Sequence, residues 1–266
     1  MLKKRTDFLV LLNIFILLGM SFLGSIDGVA HDVVYILVFL LPAVAVFAYE
    51  KGAGGEGLVP FTMKRKDLKS FLPLVFPTVF EIILLSVVTT ALLGLFGKHN
   101  SVIIYDTFSE NLLRHALLPS ILEELAFRYV PLVLLSRYSK RICIIASSVL
   151  FATIHANLFQ IPYAFLAGAI FITIDIIYDS VLPSIILHLV NNTISVISIY
   201  YNVDYPIFIA VFVLAAVSFV FLYKKRDSYL GAVCALFNGK CEEKLSFSLL
   251  FVVIPTLILA ILNLVR

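Results

Sequence analysis

Nine apolar runs, each as long as a membrane-crossing helix or close to it, divide this 266-residue chain and leave short connections between them. A spanning helix takes roughly 17–25 residues. The runs lie at about 8–24, 33–49, 71–96, 112–135, 142–157, 162–178, 183–201, 206–223 and 246–264. In hydrocarbon every backbone N–H and C=O must be satisfied within the protein, which leaves helices and closed barrels, and continuous apolar runs of this length suit helices. The sequence therefore predicts an all-α, polytopic transmembrane helix bundle of eight or nine spans, with residues 1–266 as a single integral membrane domain. The range reflects two ambiguous places: "YLGAVCALF" (229–237) could lie in the interface, and the short sixth run could be irregular. A composition of 61% hydrophobic and 14% charged residues, with mean hydropathy +1.06, excludes a water-soluble domain. Any chemistry must sit among the helices.

The basic residues fix the expected orientation, because loops retained in the cytoplasm collect Lys and Arg. Lys3, Lys4 and Arg5 precede the first run, while Lys51, Lys64, Arg65, Lys66 and Lys69 follow the second. Arg137, Lys140 and Arg141 follow the fourth, and Lys224, Lys225, Arg226, Lys240 and Lys244 follow the eighth. The intervening loops "SIDGVAHD", "GKHNSVIIYDTFSEN" and "YNVDYP" hold only Lys98. This alternation predicts a cytoplasmic N-terminus. It also accounts for the net charge of +3 without a nucleic-acid partner, and the 64–69 cluster could touch anionic headgroups. The first run resembles a secretory signal, but it lacks a clean small-x-small cleavage site and is read as an uncleaved span. Cys143, Cys234 and Cys241 form neither a CxxC nor a paired framework, and "KGAGGEG" (51–57) reads as a flexible turn.

Charged residues within the runs are few: Glu81, Arg114, Glu123, Glu124, Arg128 and Asp175, with His155 and His188 among the neutral candidates. Each charge near the bilayer centre costs about 2.5–3.5 kcal/mol on the insertion scale and marks a function by default. Glu124 and Arg128 are four apart, acid first, the favourable order for an ion pair on one helix face. Glu123 lies about 100° away around the helix and has no such partner. One acid is thus expected to hold the helix, and the other is left for chemistry.

In "FATIHANLF" (151–159), Phe151 and His155 share a face. Glu123 stands 14 residues before Arg137 and His155 stands 14 after Arg141, which sets both roughly 21 Å from the basic turn if the two helices are antiparallel. A carboxylate and an imidazole at one depth can share a water. In "VLPSIILHLVNNTIS" (181–195), His188 and Asn192 fall four apart on one face while Asn191 points elsewhere. An imidazole and an amide converging this way can donate hydrogen bonds to an oxyanion, and the plainer reading is interhelical bonding. His188, nine residues beyond Asp179, would sit roughly 8 Å too shallow unless "YDSVLPS" (178–184) is a re-entrant turn buried in protein.

EExxxR at 123–128, FxxxH at 151–155 and HxxxN at 188–192, in this order on separate apolar runs, resemble the CPBP family of membrane peptidases. This family comprises the CAAX proteases, which include the Ras-converting endopeptidases, and the bacteriocin-processing Abi proteins. The resemblance covers about 110–200, including Gly168 and the "DSVLPSIILH" run. It implies an intramembrane endopeptidase in which Glu123 and His155 activate a water, His188 and Asn192 stabilise the oxyanion, and Glu124 with Arg128 holds the helix. No cofactor is favoured. The alternative is a zinc ion on Glu123, His155 and His188, a workable set with water in the fourth position, although HExxH is absent. The implied partners are the bilayer and a membrane-bound, leader-bearing or lipidated peptide, and the implied location is a cell membrane, with the chain's size and short loops pointing to a prokaryote. Two other classes stay in play. A transporter could line a polar path with Glu81, Asp175 and Arg114, and Glu81 could instead answer Arg114 or Arg128. A scaffold of the same fold would bind partners without chemistry.

Overall fold

The computed structural model of the protein describes residues 2–55, 58–93, 104–156 and 160–223, which are helical with no strand among them. The helices are α1 (Leu2–Leu23), α2 (Gly28–Gly52), α3 (Arg65–Phe71) and α4 (Val75–Leu93), the last two joined by a 3₁₀ turn at Leu72–Leu74. Then come α5 (108–134), α6 (Lys140–Ile154), α7 (Ile161–Tyr178), α8 (Leu182–Tyr201) and α9 (Asp204–Tyr223). Five stretches are long and apolar enough to cross a membrane: Lys4–Leu23, Gly28–Gly52, Arg65–Ala91, Ile161–Tyr178 and Leu182–Tyr201. Leu11, Leu18, Leu41, Phe47, Leu84, Ile145 and Phe212 are exposed on the outer faces, where a bilayer rather than water accommodates them. The protein is an integral membrane protein.

The sixth run is a regular helix, α7, so irregularity there is ruled out. The fifth stops at Ile154, at 15 residues. The ninth run, residues 94–96 of the third, the stretch 229–237, Lys98, Cys234, Cys241 and the basic residues from Lys224 to Lys244 lie outside the described residues. Cys143 is buried in α6 and unpaired.

Helix α5 owes its form to two prolines. A proline has no N–H for the carbonyl four residues back and crowds it, so Pro119 denies a partner to the His115 carbonyl and Pro131 denies one to that of Phe127. The helix widens before each, into π turns at Leu112–Leu117 and Leu125–Tyr129, where Leu118 N–H bonds Leu113 O and Val130 N–H bonds Leu125 O. Such turns tend to mark functional positions. The two glutamates occupy the end of the α-helical segment between them, Leu118–Glu124.

Two apolar clusters flank the centre. One joins α1, α2, α5 and α6 through Phe39, Val46, Phe127, Val133 and Leu150, and the other joins α3, α4, α7, α8 and α9 through Phe71, Val79, Phe171, Leu187 and Val211. Helix α7 serves both, and Gly168 allows its close approach to α6. A Cβ there would stand 3.1 Å from Ser148 Cα and 3.4 Å from the Phe151 ring. At one end of the bundle Arg5 departs from the expectation of a solvated loop charge. It is buried, pairs with Glu50 at 2.5 Å and donates to Val133 O at 3.0 Å, locking α1, α2 and α5 together.

The connection between α7 and α8 is short and largely buried in protein. Asp179 takes a left-handed conformation (φ 49°), Ser180 and Val181 are fully buried, and Val181 N–H donates to Pro60 O in the segment after α2. Asp175 accepts from Ser184 N–H at 2.9 Å, supplying a carboxylate to the first turn of α8, where unpaired N–H groups favour one. Asp175 is therefore sealed beneath this turn and belongs to neither the wall nor the mouth of the cavity described next.

Candidate active site

A cavity of about 490 Å³ lies between α4, α5 and α8, floored by α6 and α7. Its lining contains Glu123, Phe151, His155, His188 and Asn192, so the three motifs meet in one space. On α5 the lining residues Asn111, His115, Pro119 and Glu123 recur every fourth position and form a single stripe. The wall on α4 is mostly apolar, with Ile82, Ile83 and Val87 interrupted by Ser86 and Thr90. Helix α8 contributes Asn191 as well as Asn192, which corrects the expectation that Asn191 points away. Its amide donates to Asn192 Oδ1 at 3.2 Å.

Adjacent positions on α5 give the two acids different surroundings. Glu124 is fully buried and pairs with Arg128 Nε at 3.1 Å. Its other oxygen lies 2.8 Å from His188 Nδ1. Arg128 in turn donates to the Phe127 carbonyl at 3.1 Å, the same oxygen that Pro131 leaves without a helical partner and that the Ser147 hydroxyl also reaches. The guanidinium lies 4.4 Å from the Phe151 ring centre and 5.6 Å from that of Phe171, a cation–π contact in a dry setting. Glu123 is only partly buried and faces the cavity. It is not unpartnered, however. Tyr35 of α2 donates its hydroxyl to Glu123 Oε1 at 2.8 Å, a contact that spacing within α5 could not disclose.

The histidines are held from behind. His155 caps the C-terminal end of α6, with Nδ1 2.9 Å from the Phe151 carbonyl. A carbonyl only accepts, so Nδ1 carries the proton and Nε2 keeps its lone pair. His188 gives its Nδ1–H to Glu124 by the same reasoning. Phe151 stands edge-on to both rings, with centres 5.1 Å from His155 and 5.9 Å from His188. Among the described residues no three His, Cys, Asp or Glu side chains converge closely enough to ligate one metal ion, and this covers Glu123, His155 and His188.

The remaining intramembrane charges form no path. Glu81 is exposed on the outer side of α4 and answers neither Arg114 nor Arg128. Arg114 pairs with Asp32 of α2 at 2.9 Å and covers the Tyr105 ring at 4.5 Å. Glu81, Asp175 and Arg114 are all absent from the cavity lining.

An integral membrane protein with a carboxylate, two imidazoles and an amide gathered on a cavity among its helices has the makings of an intramembrane hydrolase. Residues 107–194 match the family described as type II CAAX prenyl endopeptidase Rce1-like, a protease family. That segment, which holds all three motifs, is similar to the CAAX-protease (CPBP) family. No curated protein and no solved structure matches the chain.

Proposed function

We propose that the protein is an intramembrane endopeptidase that hydrolyses a peptide bond of a membrane-associated substrate with a water activated by Glu123 and His155. The observation that carries this reading is the division at positions 123 and 124. One carboxylate faces a cavity with His155, His188 and Asn192, and its neighbour is buried against Arg128. In the proposed reaction the water oxygen bonds to the scissile carbonyl carbon while Glu123 takes its proton, with His155 Nε2 accepting the second water hydrogen bond. Asn192 Nδ2 and His188 Nε2 face the oxyanion. Because Nδ1 already donates to Glu124, His188 serves there as the doubly protonated imidazolium. When the C–N bond breaks, Glu123 returns the proton to the leaving amine, and the water oxygen remains with its second hydrogen in the new carboxylic acid. This scheme needs no metal.

The charge distribution supports eight or nine spans with a cytoplasmic N-terminus. Lys51, Lys64, Arg137, Lys140 and Arg141 lie at the end of the bundle where Arg5 meets Glu50, and Asp27, Asp32, Asp106, Glu110 and Asp204 lie at the other. The short loops favour a prokaryotic cell membrane and a membrane-bound or leader-bearing peptide substrate. The test is cleavage of fluorogenic peptides, prenylated CAAX sequences included, by detergent-purified wild type and Glu123→Gln, with and without chelator. Cleavage by wild type that disappears in the variant and persists with chelator is expected. Cleavage that survives Glu123→Gln overturns the assignment, and a membrane phenotype that survives it without any cleavage favours a scaffold.

A further inference from the structure

The match to the protease family covers residues 107–194 and so contains nothing of α2, yet the closest polar contact to the cavity-facing carboxylate comes from that helix. Tyr35 O–H donates to Glu123 Oε1 at 2.8 Å. Tyr35 does not itself line the cavity and therefore reaches the carboxylate from behind. Its ring is fixed on both sides along α2, 4.8 Å from Phe39 and stacked at 6.3 Å on His31. Phe39 leans on Phe127 of α5 at 5.9 Å. One turn nearer the start of α2, Asp32 binds Arg114 of α5 at 2.9 Å. Helix α2 is thus tied to α5 at two places, and the hydroxyl is held at a set position relative to the acid.

We propose that Tyr35 is a positioning residue for Glu123. A partly exposed glutamate has three side-chain torsions to fix, and losing that freedom anew in each turnover is unfavourable. A phenol that occupies Oε1 beforehand presents Oε2 to the cavity, where the attacking water binds. Such a bond is short, charge-assisted and directional, and catalysis depends on reacting groups being in place before the substrate arrives. The inference rests on the proposed peptidase reading and assigns a residue that neither the motifs nor the matched segment contains.

Tyr35→Phe removes the hydroxyl and leaves the ring contacts in place. Cleavage of a fluorogenic farnesylated CAAX peptide and its unprenylated counterpart is measured for wild type, Tyr35→Phe and Glu123→Gln in the full-length protein, alongside thermal unfolding in detergent. The expected result is a fall in kcat of about tenfold to a hundredfold in Tyr35→Phe, the range of a hydrogen bond to a charged group. KM within twofold of wild type and an unaltered melting temperature should accompany it. Placing 4-aminophenylalanine at position 35 restores a donor at the same reach and should recover much of the lost kcat. If Glu123→Gln is inactive while Tyr35→Phe cleaves like wild type, the positioning role is wrong and the peptidase reading stands. If Tyr35→Phe lowers the melting temperature, and 4-aminophenylalanine restores stability without restoring kcat, the contact is only interhelical packing. If wild type cleaves neither peptide, or Glu123→Gln cleaves as well as wild type, the peptidase reading falls and this inference falls with it.

Discussion

Two faces of one helix divide the polar chemistry of this protein. The face of α5 turned toward α6 and α7 carries Glu124 and Arg128, both fully buried, with their charges opposed and further bonds to His188, Phe127 and Ser147. The face turned toward α4 and α8 carries Asn111, His115 and Glu123 along an accessible cavity. Adjacent glutamates with the same intrinsic chemistry thus meet opposite conditions because one residue of helix turns a side chain through about 100°. Satisfied, desolvated charge is structural, whereas charge with one oxygen toward open space can act on a substrate.

Breaking the cavity face should leave the fold and remove the activity. Glu123→Gln keeps the shape and an acceptor for Tyr35 but loses the base, and the peptidase rate should fall by about 10²–10⁴-fold, the usual weight of a general base. Thermal unfolding in detergent should match wild type. A variant that unfolded earlier would place Glu123 with the structural charges.

Breaking the buried face should do the reverse. Glu124→Gln strands the Arg128 guanidinium in an apolar interior, and removing one member of a buried pair destabilises by about 3–5 kcal/mol. A large drop in melting temperature is the expected outcome. A double replacement, Glu124→Leu with Arg128→Leu, should regain part of that loss because no unpaired charge remains. The double change would still free His188 from its Glu124 contact, so activity should not return with stability, and recovery of both would mean that Glu124 does nothing for His188.

These two faces were legible in the sequence because local spacing fixes them. EExxxR on a helix separates the acids and pairs the second with the arginine whatever surrounds it, and the depths counted from the basic turn brought Glu123 and His155 to one cavity. What spacing cannot show is contact across helices. Tyr35 is 88 positions from Glu123, and nothing in "DVVYILVF" distinguishes that tyrosine from an interfacial one. Asp175 looked like part of a polar path because it is an acid in a span, and only the buried turn at 179–181 reveals it as a partner for the Ser184 N–H of α8. The π turns had a readable cause in Pro119 and Pro131. Arg5 misled because a basic residue before a first span usually remains in water, whereas here Glu50 at the end of α2 draws it inside.

Asn192 tests whether the cavity face extends to α8. Replacing one oxyanion donor typically lowers kcat by about 10²–10³-fold, and Asn192→Ala should do so with KM little altered. Asn191→Ala, which removes only the neighbour that donates to Asn192 Oδ1, should have a much smaller effect on kcat. Equal losses in the two variants would shift the donor role from a single amide to the pair.

The smallest expected effect is the one that most sharply separates the two faces. If Glu123 acts as a base on a water, incubating the enzyme with a strong chelator should leave Glu123-dependent cleavage within about twofold, since no step needs a Lewis acid. The geometry supports that outcome: Nδ1 of His155 is committed to Phe151 O and Nδ1 of His188 to Glu124. Only the two Nε2 atoms remain as imidazole ligands, and Glu123, His155 and His188 do not converge on one point. Loss of cleavage on chelation, restored by zinc, would require Glu123 and both histidines to draw together when the metal binds. His188 would then belong to the metal centre as much as to Glu124, and the boundary between the structural and chemical faces of α5 would run through the imidazole rather than between two glutamates.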